Sequence, residues 1–100
     1  MIRGTTPKHT FTLPFDTSEL EDVRIIYAQD DTVLFKKETA DCNLDANVIS
    51  VTLTEEETLQ FNHEKLAQIQ LRVQMKGGDI LSTDVMVSYV GKCLDTEVLT

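Results

Sequence analysis

Apolar and polar residues alternate along most of this chain, and a period of two places one kind of side chain on each face of a β-strand. Residues 67–75 show it best, with Ile69, Leu71, Val73 and Met75 on one face and Gln68, Gln70, Arg72 and Gln74 on the other. Residues 23–29 repeat the pattern, setting Val23, Ile25 and Tyr27 against Arg24, Ile26 and Ala28. In 48–53, Ile49, Val51 and Leu53 share a face, as do His9, Phe11 and Leu13 in 7–13. Pro7 and Pro14 bracket that last segment and predict an edge strand, because proline has no N–H for a second neighbour.

Turn residues connect these runs. Asp30-Asp31 joins 23–29 to TVLFKKE, which predicts a hairpin whose return strand sets Val33 and Phe35 against Leu34 and Lys36. Gly77 and Gly78 follow the longest alternating run and predict a tight two-residue turn, since glycine takes positive φ without strain. The returning strand ILSTDVMVSYV is expected to be long, with Leu81, Val85, Val87 and Tyr89 inward and Met86 and Ser88 outward. Asp84 marks a bulge or an exposed edge in it. The polar stretches 16–22 and 39–47 read as loops, and 91–100 as a short tail that is loose at its end.

Between two strands, residues 54–61 change character. Thr54 with Glu57 three residues on is a capping box, and Glu55, Glu56 and Glu57 suit the positive end of a helix. This predicts one short helical crossover, with Leu59 and Phe61 packing on the sheets and the carboxylates facing water. Consecutive helical residues point about 100° apart, so the three glutamates do not converge on a metal or a bond.

About six or seven short strands with regular turn signals predict an all-β, immunoglobulin-like antiparallel β-sandwich. An open barrel of the same strand count is the alternative. The chain of 100 residues is expected to be a single domain spanning 1–100. It has no tryptophan, and neither Cys42 nor Cys93 falls in a predicted strand, so no inter-sheet disulfide is expected.

Nine Lys and Arg against 17 Asp and Glu give a formal charge of −8, which disfavours nucleic acid and anionic membrane surfaces as partners. No apolar run approaches the roughly 20 residues that span a bilayer, and the first residues lack a secretion-signal pattern. These features predict a cytosolic chain with both cysteines reduced. Candidate chemistry is sparse. His9 lies on an inward face, where a hydrogen-bonded structural role is expected, and His63 lies in a polar connector. Ser50, Ser82 and Ser88 have no histidine near them in sequence, and DCNLDAN lacks the central glycine of a calcium loop. No catalytic residue, metal ligand or cofactor-binding residue is expected.

Four stretches carry a family resemblance over about nine tenths of the chain: IRGTTPKHTFTLPFD, VRIIYAQDDTVLFKKE, ISVTLTEEETLQF and AQIQLRVQMKGGDILSTDVMVSYV. They resemble small structural-module proteins of tailed phages and prophages of Gram-positive bacteria. The arrangement is similar to the amino-terminal immunoglobulin-like domain of phage baseplate upper proteins. That resemblance implies a non-enzymatic virion structural or assembly protein of the tail, baseplate or neck, made in the bacterial cytoplasm and carried into the virion. Its implied partners are other phage structural proteins or itself, as a homo-oligomer. Proteins of that type continue into further domains, so a lone sandwich is expected to bind a larger partner or to self-assemble. The row Gln68, Gln70, Arg72 and Gln74 is the candidate interface, and the net charge favours a partner with a basic surface. The alternative is a small ligand- or carbohydrate-binding sandwich, which the inward assignment of Tyr27 and Tyr89 disfavours.

Overall fold

The structure is a computed structural model and describes residues 1–95, 97 and 98. The expected loose tail end falls on residues 96, 99 and 100, outside this set. The smaller sheet holds β1 (Lys8–Thr12), β4 (Cys42–Asp45) and β5 (Val48–Thr52), in the order β1-β5-β4. The larger holds β2 (Leu20–Gln29), β3 (Thr32–Glu38), β6 (Leu66–Met75), β7 (Ile80–Ser82) and β8 (Met86–Tyr89). Its order is β3-β2-β6, with β7 and β8 both paired to β6. All strand pairings are antiparallel. The chain enters the small sheet, makes the β2–β3 hairpin in the large one, returns for β4 and β5, and crosses back for β6 to β8. This interleaving is the strand order of an immunoglobulin-like sandwich. A helix, α1 (Glu55–Thr58), makes the crossover from β5 to β6.

The inner faces of the two sheets make the core. Val23, Ile25, Tyr27, Ile49, Leu53, Phe61 and Val90 are fully buried, each worth about 2 kcal/mol of apolar transfer. Tyr27 lies on β2, the strand where immunoglobulin domains carry a buried tryptophan. It stacks on Phe35 with ring centroids 4.8 Å apart and meets the edge of Phe61. The inward faces expected for β1, β2, β5 and β6 are those observed, and β1 is an edge strand.

Five details differ from the sequence expectation. First, β2 begins at Leu20, after a 3-10 turn at Thr17–Glu19, so the stretch 16–22 is only partly loop. Second, the stretch 39–47 contains β4, which pairs with β5 and turns in only Leu44 and Cys42. With two apolar residues its alternation is too short to stand out from turn chemistry, and Cys42 therefore lies in a strand.

Third, the β2–β3 hairpin carries a bulge: Tyr27 faces Phe35 and Ala28 faces Val33, so Leu34 is the extra residue. The insertion moves Val33 to the opposite face from Phe35. Fourth, the glycine turn spans three residues rather than two. Met75 N–H donates to the Asp79 carbonyl and Gly78 N–H to the Met75 carbonyl, with Gly78 alone of the two glycines at positive φ.

Fifth, the return strand is broken into β7 and β8. Between the pairs Arg72–Ser82 and Ile69–Met86 it holds one residue more than β6. The bulge foreseen at Asp84 is therefore present, and it reverses the phase of everything after it. Met86 and Ser88 take the side of Ile69 and Ala67, while Val87 and Tyr89 take the side of Gln68 and Leu66. Leu81 keeps the expected face beside Val73 but lies at the sheet edge, half exposed. Among the described residues eight strands result, in place of six or seven.

Candidate functional site

The two outer faces of the sandwich are chemically unlike. An antiparallel sheet packed on one side normally presents polar residues on the other. The small sheet does so, with Lys8, Thr10, Thr12, Asn43, Ser50 and Thr52 outward. On the large sheet the bulges have brought apolar residues outward. One rung across four strands runs Val33, Ala28, Gln68, Val87, and Leu66 and Tyr89 form the next. Val33, Leu66, Val85, Val87 and Tyr89 are between 50 and 60 % exposed. Beside them Ile26, Ala28, Val33 and Val85 line a dent of about 150 Å³ whose rim includes Gln68 and Gln70.

All four residues of the expected interface row lie on this face, but two of them also have work within the chain. Gln68 accepts the Asp31 N–H and donates to its carboxylate, both at 2.8 Å, holding the β2–β3 turn. Gln70 donates to the Thr83 carbonyl at 3.0 Å. Thr83 itself donates its N–H to the Leu71 carbonyl and accepts the Leu71 N–H on Oγ1, so the bulge between β7 and β8 is stitched to β6. Arg72 and Gln74 are exposed. The apolar neighbours of this row were missed in the sequence because Val87 and Tyr89 were assigned to the core. The signal lay in Asp84, which marked the bulge without announcing its change of phase.

Polar groups also gather between the sheets. His9 Nδ1 lies 2.7 Å from the Tyr27 hydroxyl. Burial, followed by the nearby Cys42 and Glu57, holds the Tyr27 phenol protonated well above its usual range. A protonated phenol can donate to Nδ1 of a neutral His9 or accept from it, and the imidazole tautomer sets which. Burial, then the amino-terminal charge, pushes the His9 imidazole below its ordinary value. Cys42 has its thiol pushed up, by burial first and Asp41 second, which opposes thiolate formation. On the edge of the same region Lys37 Nζ meets Glu57 Oε1 at 2.7 Å. These contacts are those of a satisfied structural cluster.

The glutamate run resolves into a cap and a tie. The Glu57 N–H donates to Thr54 Oγ1 at 3.1 Å, and the Thr54 N–H to Glu57 Oε1 at 2.8 Å, completing the expected capping box. Phe61 is buried and Leu59 half-buried, as expected of the crossover. Glu57 departs from the expectation of carboxylates in water, because its ion pair with Lys37 leaves its side chain only 20 % exposed. His63 lies in the connector, with Nδ1 4.0 Å from a Glu64 carboxylate oxygen. Among the described residues no three His, Cys, Asp or Glu are grouped to hold a metal. Among the same described residues no helix is long and apolar enough to cross a membrane.

No family model matches this chain, and no curated protein matches it. Among solved structures, the V domain of amphioxus IgVJ-C2 aligns with 90% of this chain and 96% of that chain, at 14% identity and a TM-score of 0.36. The fold follows from the chain's own strand order: it is an all-β, immunoglobulin-like antiparallel sandwich.

Proposed function

We propose that this protein is a non-enzymatic structural or assembly module that works through protein contact at the outer face of its large sheet. The setting is the one its sequence resembles, a tailed-phage virion assembled from products of the bacterial cytoplasm. The observation that carries the reading is the contrast between the outer faces: one is polar, while the other exposes Val33, Leu66, Val85, Val87 and Tyr89 together. Contiguous apolar surface on a water-facing sheet costs solubility and marks a surface that is covered in use.

The test is site-specific photo-crosslinking in the expressing cell, with the photoreactive residue at position 87 or, on the opposite face, at position 10. Adducts from position 87 and not from position 10 support the reading. Adducts from neither, or from position 10 alone, overturn it.

One observation favours a second reading, a small ligand- or carbohydrate-binding module: Tyr89 is exposed on the surface rather than inward. Exposed rings are the platforms on which sugars stack. A titration of tyrosine fluorescence with oligosaccharides, repeated on Tyr89→Ala, separates the two. A saturable change lost in the variant supports ligand binding, and a flat response removes it.

A further inference from the structure

Among the described residues the small sheet has one strand fewer than its counterpart in immunoglobulin domains. Its order β1-β5-β4 is that of the last three strands in the four-stranded ABED sheet, which puts the unfilled position beside β1. The residues before β1 do not take it, because Ile2 bridges Gly91 beyond β8.

The register shows what that side of β1 offers. Leu53 donates its N–H to the Pro7 carbonyl and Leu13 to the Asn47 carbonyl, so the bonded pairs fall on the odd positions of β1. The main-chain N–H and C=O groups of Lys8, Thr10 and Thr12 therefore point away from β5. On the large sheet, the Met75 N–H bond to the Asp79 carbonyl likewise turns the main chain of Ile80 and Ser82 away from β6. Among the described residues neither row has a strand partner. At the Thr12 end of β1 an apolar groove of about 200 Å³ opens between the sheets, lined by Leu13, Pro14 and Phe15 on one side and Leu71, Val73 and Leu81 on the other.

This pairing of features selects its occupant. A ladder of N–H and C=O groups at every second residue matches extended main chain and not a compact small molecule. A second copy offering its own folded β1 satisfies the ladder but keeps Phe11 and Leu13 turned into its own core, so the groove stays open. Only a segment whose side chains are free fills both. We infer that the seam between β1 and β7 is a strand-acceptor site, which takes an extended segment of another polypeptide, apolar at alternate residues, antiparallel to β1 as the fourth strand of the small sheet. Pro7 and Pro14 flank the ladder, which limits the match to the five residues of β1. The inference goes beyond the contact proposed for the outer face of the large sheet and does not depend on it.

The test is a yeast-displayed library of short peptides, apolar at alternate positions and otherwise random, selected against the purified chain. Thr10→Pro removes an outward N–H of β1 without touching a bond to β5, a change that edge strands accept. It is expected to weaken the selected peptides by about tenfold. Thr10→Ala keeps the N–H and is expected to leave their binding unchanged. Leu81→Lys, at a half-exposed position of the groove, brings a charge to the apolar side and is expected to weaken them by about tenfold. Thermal melts verify that the variants fold. In the wild type, bound peptide is expected to slow deuterium exchange of the Thr10 and Thr12 amides by about tenfold, a readout that needs no variant.

A library that yields no binder overturns the inference, as do binders indifferent to both Thr10→Pro and Leu81→Lys, or a complex that leaves the Thr10 and Thr12 amides unprotected. The outer-face reading fails separately. Crosslinks from position 10 alone remove that reading and leave this one standing, whereas crosslinks from position 87 with no peptide selected do the reverse.

Discussion

Lys37 and Glu57 form an ion pair at 2.7 Å, with their side chains 11 and 20 % exposed, joining the edge strand of the large sheet to the helix that crosses between sheets. Removing either partner leaves a largely desolvated charge alone. Lys37→Met is expected to cost about 2 kcal/mol, below the value for fully buried pairs because some solvent reaches the site. Glu57→Gln, which keeps a capping-box side chain, is expected to cost about 1–2 kcal/mol. In urea denaturation the double variant is expected to lose about 1 kcal/mol less than the sum of the two. Strict additivity would mean that the pair contributes no coupling.

The half of the helix cap made by the Thr54 hydroxyl is separable from that pair, although Glu57 Oε1 serves both. Thr54→Ala removes the acceptor of the Glu57 N–H and is expected to cost about 1 kcal/mol, while Thr54→Ser retains it and stays near the wild type. Equal midpoints for the alanine and serine variants would show that the threonine hydroxyl does not stabilise the crossover.

The two glycines of the β6–β7 turn are expected to differ. Gly78 has φ +100 and Gly77 does not have positive φ, and a Cβ on either meets nothing within 4 Å. Strain alone is therefore at stake. Gly78→Ala is expected to lose about 1 kcal/mol, whereas Gly77→Ala is neutral or gains a few tenths from the stiffer unfolded chain. Thermal melts of the two variants check this, and a greater loss at Gly77 would contradict the three-residue turn.

His9 makes stability depend on mild acid. Its folded-state pKa lies below the ordinary 6.5, so between the two values the folded chain binds fewer protons than the unfolded one. The His9 contribution is fully present above pH 6.5 and is lost as pH falls from there through the folded value. Asp16 and Asp22 act lower. Their carboxyls are held below the usual 3.8 by hydrogen bonds, from Ser18 in one case and from Thr39 and Val23 in the other. Their contributions are present above pH 3.8 and fall away beneath it. Denaturation midpoints measured from pH 7.5 to 5 are expected to fall in the wild type and to flatten in His9→Gln. An equal slope in both would rule His9 out as the cause.

Most strands were legible because their burial is one-sided. Along β2, β5 and β6 the inner residues Val23 to Tyr27, Ile49 to Leu53 and Ile69 to Val73 alternate with the others, and alternation is a local property of the chain. The cap at Thr54 and the turn at Asp30 and Asp31, both at positive φ, were legible for the same reason. The expected interface row Gln68 to Gln74 was placed on the correct face, but its setting was not visible. The residues that make the face apolar, Val33 and Val87, owe their position to bulges.

The sequence alone thus determined which segments extend, where they turn and how the crossover helix begins, because each is decided within a few residues. Only the tertiary structure decided that Leu34 would be squeezed out of register opposite β2, and that Met86 rather than Val85 would face Ile69. It also decided that Lys37 would find Glu57. Those outcomes depend on the register of one strand against another, and a single inserted residue exchanges the two faces of everything beyond it.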